Sequence, residues 1–428
     1  MDTIVREVDI LVAGGGPGGV SAALSAGKCG ADVLLLDMNG FLGGTLVSGI
    51  VGSLCGMFSA RRGMDDTTFQ VVQGIGEEIH SILDSRGGSS QHNNSAYFDS
   101  YAYDPCMLPV VLDELALRYN VKMLLHTMVI GAKVENGRIT EVETASKSGR
   151  MVIKPKLVID GTGDADIVHL SGGSYRKDAA QLQPGSFNFR MSNVDPSYPI
   201  PTLPEVAAAI REATKDSPKS YLLREDSMFI KPSSPTEVIC GFSRISVDAT
   251  DVESLTRAEI LGRSEVYPAA EFIRNTFPGF RNAKVCNLPT HVGIRETRII
   301  EGVGILTDDD VYYARTREDG IGKCAWPVER HVAGERHTVV MPLHDGDSYD
   351  IPFSALLPVG YKNLAVAGRS ISSERAANAS ARVYGPCTVM GQAAGTAAAL
   401  LAAKGIADYA ETNIGELRKK LAENGALV

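Results

Sequence analysis

Near its start the chain sets two apolar blocks, residues 8–13 and 32–36, on either side of a glycine-rich turn and a stretch of small apolar residues. The pattern predicts a strand, a turn, a helix opening near Pro17, and a second strand ending in the carboxylate of Asp37. Gly14, Gly16 and Gly19 fall in a GxGxxG spacing across that turn. In a strand-turn-helix unit they serve different ends: a tight turn, close backbone approach to a pyrophosphate, and helix-on-strand packing. The first N–H groups of the helix lack intrahelical acceptors and offer an anion site. A carboxylate 21 residues beyond Gly16 accepts hydrogen bonds from both hydroxyls of an adenine ribose and repels a 2′-phosphate, which favours FAD or NAD over NADP.

Glycines at 40, 43, 44, 49, 52 and 56 alternate with Leu42, Leu46, Val47, Ile50, Val51 and Leu54. That density opposes a regular helix, at about 1 kcal/mol per glycine, and predicts backbone pressed against a flat ligand. Residues 68–86 have helical periodicity and 87–94 read as a polar surface loop. Tyr97, Phe98, Tyr101 and Tyr103 offer either a pocket wall or an anchor on the core. A helix opens at Pro105 and runs to Tyr119. A β-meander follows at 122–125, 129–134, 138–144 and 150–153, with Asn136 and Gly137 supplying the positive φ values of a tight hairpin. Residues 157–160 read as a separate buried strand, breaking into a turn of Gly161, Thr162 and Gly163 that belongs on the same sheet edge as Gly14.

From 174 to 348 the pattern changes to strands at 186–191, 227–231 and 237–247 and two long helices. One begins at a capping box of Thr202 and Glu205, and the other covers 252–275 with Pro268 inside it. The chain returns to strand and glycine at 363–369. A helix then starts near Pro386, lined by Gly391, Ala393, Ala394, Gly395, Ala397 and Ala398, and a final amphipathic helix covers 414–423. The reading is an α/β fold: a discontinuous Rossmann-like nucleotide-binding domain (1–173 and 349–428; parallel sheet with a β-meander crossover) carrying an inserted mixed α+β substrate domain (174–348).

Composition narrows the function. The 428 residues are 44% apolar, an ordinary globular content. No apolar run approaches the ~20 residues of a membrane span, and the opening MDTIVREVD is no secretory leader. Seven scattered cysteines without a CxxC pair argue against a zinc ribbon, an iron–sulfur cluster of the usual spacing or a redox disulfide, and for a reducing cytoplasm. No metal site is expected. A net charge of −9 gives no electrostatic case for nucleic acid. Homo-oligomer formation is left open.

Nine blocks in order now carry a resemblance: AGGGPGG at Ala13, LLLD at Leu34, GGTLVSG at Gly43, VIDGTGDAD at Val158, GIRETRIIEG at Gly293, LTDDDV at Leu306, IPFSALLP at Ile351, NLAVAGR at Asn363 and GQAAGTAAA at Gly391. Together the chain resembles the FAD-dependent oxidoreductase family, of the glutathione-reductase-type flavoprotein clan that includes fumarate reductase flavoproteins. The resemblance implies FAD, with its pyrophosphate on Gly14, Gly16, Pro17, Gly18 and Gly19 and its adenine end near Asp37, Met38 and Val129. It further implies Gly43, Gly44, Thr45 and Ser48 beside the isoalloxazine, Gly163 and Asp164 near the pyrophosphate, Gly368 and Arg369 near the ribitol, and Gln392 on the flavin-facing helix. A helix N-terminus aimed at the pyrimidine ring stabilises the anion of reduced flavin.

No second glycine-rich nucleotide fold follows, so electrons are expected from a small organic substrate or a reductant at the open flavin face, with a separate electron acceptor. The implied activity is hydride transfer between that substrate and flavin N5. An RNA-modifying flavoprotein and an electron-transfer subunit of a larger redox complex are the alternatives.

His331 is the first candidate for exchanging a proton, with His337 and His344 behind it. Arg295 and Arg382 are candidates for holding a carboxylate or stabilising an enolate, since guanidinium makes paired hydrogen bonds to such groups. An ion pair with Glu296 or Glu301 is the alternative employment for Arg295. Arg382 lies four residues before Pro386, in a loop that carries a substrate-binding arginine in fumarate reductases. The sequence there, SSERAANASARVYG, departs from their pattern and argues against a C4-dicarboxylate. Cys55 reads as a small buried apolar residue rather than a redox thiol.

Overall fold

The computed structural model describes residues 4–61, 67–92, 99–216 and 218–428. Tyr97 and Phe98 of the aromatic cluster lie outside these residues. Among them a seven-stranded sheet forms the centre of an α/β fold. Its parallel part runs Lys122–Leu124, Val33–Leu36, Ile4–Ala13, Gly149–Asp160 and Leu364–Val366 in spatial order. The meander strands Arg138–Ser146 and Met128–Glu135 extend the sheet beyond the first half of Gly149–Asp160. Asn136 and Gly137 both have positive φ, 51° and 77°, and close the meander hairpin.

The register aligns the strand ends. Ala13 pairs with Leu36 and with Asp160, and Val366 pairs with Asp160. The turns that follow therefore start side by side: Gly14 N–H donates to Leu36 O, Gly161 N–H to Ala13 O, and Ala367 N–H to Asp160 O. The helix Pro17–Lys28 covers one face of this sheet, and the small-residue helix Tyr384–Ala403 packs on it. A Cβ on Gly391 would overlap the carbonyl of Gly18, and one on Gly395 that of Ala22. The small residues thus serve contact between two backbones, where a larger side chain would force them apart. This helix begins at Tyr384 rather than Pro386. The proline remains in the first turn, where its missing N–H costs no intrahelical bond.

Three expectations are corrected. The meander strand at 150–153 and the strand at 157–160 are one strand, Gly149–Asp160. Pro155 does not break it, because the antiparallel neighbour ends opposite Ile153 and the next strand joins at Val158, so its missing donor falls between partners on that side. The helix expected over 68–86 is confined to Ile75–Ser85, since Gly74 before it takes φ 66°. The polar segment at 87–94 contributes a strand, Ser89–His92, paired with Ser100–Tyr103, which also pairs with Ser53–Cys55.

The insertion has its own antiparallel sheet, ordered Met228–Ile230, Val238–Gly241, Phe189–Ser192, Lys284–Asn287. The helices Leu203–Thr214 and Val252–Thr276 accompany it, the first starting at the Thr202/Glu205 capping box. Phe229 stacks on Phe280 within its core, which draws its buried apolar residues from 187–292. Side chains from 306–343, such as Leu306, Trp326 and Leu343, share the core of the nucleotide fold instead. That core is narrower than the 174–348 span read from the pattern. Among the described residues no helix is long and apolar enough to cross a membrane.

Candidate active site

The glycine turn is built by contact. Gly14 has φ 95°, and a Cβ there would meet the Gly161 and Thr162 backbone. A Cβ on Gly18 would lie 2.5 Å from Ala367 O. At Gly16, by contrast, the nearest atom would be Gly161 O at 4.0 Å, and Gly368, at φ 119°, meets nothing within 4 Å. These two open glycines face the edge where the strands end. Gly16 caps the Pro17–Lys28 helix with no side-chain acceptor and no acidic residue in its first turn. An extended dinucleotide fits this combination of an uncapped helix start and bare backbone.

Asp37 is buried, and its carboxylate accepts from Gly15 N–H (2.6 Å), Asn39 N–H (2.7 Å) and Asn39 Nδ2 (3.0 Å). Burial raises its pKa against those three donors. The carboxylate therefore braces the glycine turn itself. Thr127 N–H donates to Asp37 O, bringing the start of Met128–Glu135 and Val129 beside it, while Met38 is exposed.

The glycine loop lies on the turn: Gly43 N–H donates to Gly15 O (2.7 Å), and a Cβ on Gly44 would lie 2.7 Å from Gly16 Cα. Thr45 and Ser48 sit in the short helix Thr45–Ser48. Fully buried Tyr103 bolts this loop, its hydroxyl donating to Leu46 O (2.6 Å) and accepting from Gly52 N–H. Tyr101 stacks on His80. These two rings anchor structure, and the pocket-wall expectation fails for them.

Asp164 is held from two sides. Arg369 Nη2 (2.6 Å) and Thr297 Oγ1 (2.7 Å) donate to its Oδ1, and Arg298 Nη1 donates to its carbonyl (2.9 Å). Ser370 Oγ donates to Gly163 O. Gln392 faces another way: its Oε1 accepts the Ile75 N–H at the start of the helix Ile75–Ser85.

A second cluster forms where the insertion meets the glycine loop. Gly293 lies against Thr45 and Gly49, and Ser48 O accepts Thr290 and His291 N–H. Two residues beyond Gly293, Arg295 donates to Pro184 O and to Ser186 Oγ (2.8 Å). No carboxylate lies within 4 Å of it among the described residues, so the ion pair with Glu296 or Glu301 is absent. Arg382 ends the helix Arg375–Ala381 and donates to the backbone carbonyl of Glu329 (3.1 Å). Its Nε is buried without a partner.

His331 lies in the same cluster, 4% exposed. Its Nε2 is 3.3 Å from Glu329 Oε1, and its Nδ1 is 3.1 Å from Thr338 Oγ1 and 3.5 Å from Arg244 Nη2. The carboxylate assigns the proton to Nε2, leaving Nδ1 to accept. Burial and the charge of Arg295 push the histidine well below its ordinary pKa, which favours the neutral ring. Burial would raise Glu329, but the His331 contact and the charges of Arg382 and Arg295 outweigh it and hold the carboxylate well below the usual range. The other Glu329 oxygen accepts Trp326 Nε1–H (3.1 Å).

With both ring nitrogens engaged, His331 is placed to orient Glu329 rather than to exchange a proton with a ligand. His337 and His344 are exposed, beside Glu225 and Asp345. Cys55 ends the glycine loop near Glu329 and Arg382, and burial pushes its thiol up to about 12. Among the described residues no group of three metal-ligating side chains converges.

Glu329, Gln183, Arg224, Arg244 and Asp226 were not singled out by sequence. For Glu329 a signal existed: residues 329 and 331 alternate through the strand Val328–Arg330 and share one face.

A parallel sheet with a glycine-lined edge, carrying an insertion, has the build of a dinucleotide-binding α/β protein. A model of the FAD dependent oxidoreductase family matches residues 9–421, and the chain belongs to that family. It is an oxidoreductase, and its cofactor is FAD. None of the curated proteins matches the sequence.

Several solved structures are similar. A geranylgeranyl bacteriochlorophyll reductase-like protein from Thermoplasma acidophilum is 14% identical, covering 98% of this chain and 84% of that one, with a TM-score of 0.49. A flavoprotein/dehydrogenase from Cytophaga hutchinsonii is 12% identical over 98% and 86%, with a TM-score of 0.47. The L-proline dehydrogenase of P. horikoshii is 14% identical over 99% and 100%, with a TM-score of 0.43.

Proposed function

We propose that the protein oxidises a small organic substrate by hydride transfer to flavin N5, and that a separate acceptor takes the electrons. Supporting this reading is the convergence of Arg295, Arg382 and the Glu329–His331 pair against the glycine loop, from three stretches far apart in sequence. FAD supplies the two-electron acceptor. The chain supplies orientation and a proton acceptor.

In this reading Arg295 and Arg382 hold the substrate, Thr45 and Ser48 line the cofactor side, and Glu329 receives the proton at Oε1. His331 keeps that carboxylate in place through Nε2–H. The balance is complete. Bound FAD would accept a substrate C–H hydrogen together with its electron pair. The neighbouring O–H, N–H or C–H gives its proton to Glu329, and the substrate gains a double bond.

Anaerobic mixing of the FAD-loaded protein with a panel of hydroxy acids, amino acids, amines and alcohols tests the proposal. Bleaching of the flavin band by one class is expected. A flavin that dithionite bleaches and no panel member reduces would instead support an electron-transfer subunit.

A further inference from the structure

We infer that the substrate of this site carries a carboxylate, bound between the guanidinium groups of Arg295 and Arg382 with the carboxamide nitrogen of Gln183 as a third donor. The inference rests on the reading above and adds the substrate's chemical class.

The cluster is short of negative charge where a ligand would sit. Arg224 and Arg244 share Asp226, at 3.0 and 3.3 Å. Arg295 has only neutral oxygens, and Arg382 only a backbone carbonyl, within hydrogen-bond reach among the described residues. Glu329 acts on both through space, but its oxygens contact Trp326 and His331. Glu296 and Glu335 act on Arg382 and Arg244 from beyond pairing distance. Partly buried guanidinium without a bonded anion is under-compensated, and a ligand anion would bring the missing charge.

The orphan donors lie in the same place. Gln183 is 1% exposed; its Oε1 accepts His331 N–H, while its Nε2 has no acceptor. The next residue, Pro184, gives its carbonyl to Arg295. Arg382 Nε, likewise buried and unpartnered, belongs to the side chain that reaches the Glu329 carbonyl. Gln183 and Arg382 thus contact the backbone of the His331–Glu329 pair, and Arg295 is tied to the residue after Gln183; a carboxylate has the lone pairs to accept from all three. A carboxylate bound there also matches the charges that hold Glu329 low, so Glu329 becomes a better proton acceptor in the complex than in the free site.

The test is calorimetric and spectral titration of the FAD-loaded protein with propionate, propionamide and propylamine, independent of turnover. Propionate should bind and perturb the flavin spectrum, and the two others should not. Arg295→Gln and Arg382→Gln should each weaken propionate binding about ten- to a hundredfold, while Arg382→Lys, which keeps the charge, recovers part of the loss. Circular dichroism and flavin content report folding of each variant. Equal binding of propionamide, or unchanged affinity in both glutamine variants, would overturn the inference. Carboxylate binding without flavin reduction by any carboxylate would keep the inference and defeat the redox reading. Reduction by a neutral amine or alcohol with no carboxylate binding would do the reverse.

Discussion

Glu329 Oε1 lies 3.3 Å from Nε2 of His331, and the two occupy one face of the strand Val328–Arg330 and its continuation. The pair ties a partly buried carboxylate to a buried ring among arginines. Removing the anion and removing the ring should therefore have different consequences.

Glu329→Gln keeps the shape and removes the charge that faces Arg295 and Arg382. Substrate-driven flavin reduction should fall by about two decades or more, the scale of a lost proton acceptor, while dithionite reduces the flavin as before. His331→Gln should lose less, because it removes only the group that positions the carboxylate. Anaerobic stopped-flow measures both rates, and an equal loss in the two variants would return the proton-accepting role to His331.

Asp37 serves the glycine turn as well as the expected ribose site, through Gly15 and Asn39. Asp37→Ala should weaken FAD binding by about one to two decades, as for a lost charged acceptor worth roughly 1.5–3 kcal/mol. It should also lower the urea midpoint of the apoprotein. Fluorescence titration of apoprotein with FAD checks the first and an unfolding curve the second. Unchanged affinity would show that the ribose is held elsewhere.

Gly391→Ala should act on the cofactor from a distance. Its Cβ would overlap the carbonyl of Gly18, whose residue belongs to the pyrophosphate turn. Overpacking of this kind costs about 1–3 kcal/mol, and relief requires the two helices to separate. Reduced flavin content and a lower melting temperature are expected, with Thr396→Ser on the same helix as a mild control. Full flavin content and an unchanged melting temperature would contradict the close helix contact.

The nucleotide edge was legible in the sequence because each of its glycines answers a backbone requirement that other residues cannot meet, as at Gly14. The sequence reads the strand Gly149–Asp160 as two, at 150–153 and 157–160, because its two halves pair with different neighbours on one side, which the pattern does not reveal. Arg295, Arg382 and His331 were reachable through chemistry and family likeness. Gln183, Arg224, Asp226 and Arg244 were not, because they come from separate strands and loops of the insertion and carry no local pattern.

Asp226 provides a pH test of the arginine cluster. Burial alone would raise its carboxyl, but the charges of Arg224 and Arg244 and hydrogen bonds from Thr338 outweigh it and lower the pKa from 3.8 to about 2. A carboxylate whose folded pKa is depressed adds stability that is fully present above its unfolded value and is lost as pH falls through the folded one. The contribution should be complete above about pH 4, amount to about 2 kcal/mol, and disappear as pH approaches 2. Asp226→Asn removes the titration while keeping an acceptor for Thr338 N–H. Urea unfolding of the native protein and the variant should therefore differ most at neutral pH, and the difference should shrink between about pH 4 and 2. A difference that stays constant across that window would mean that Asp226 is not held ionised by Arg224 and Arg244.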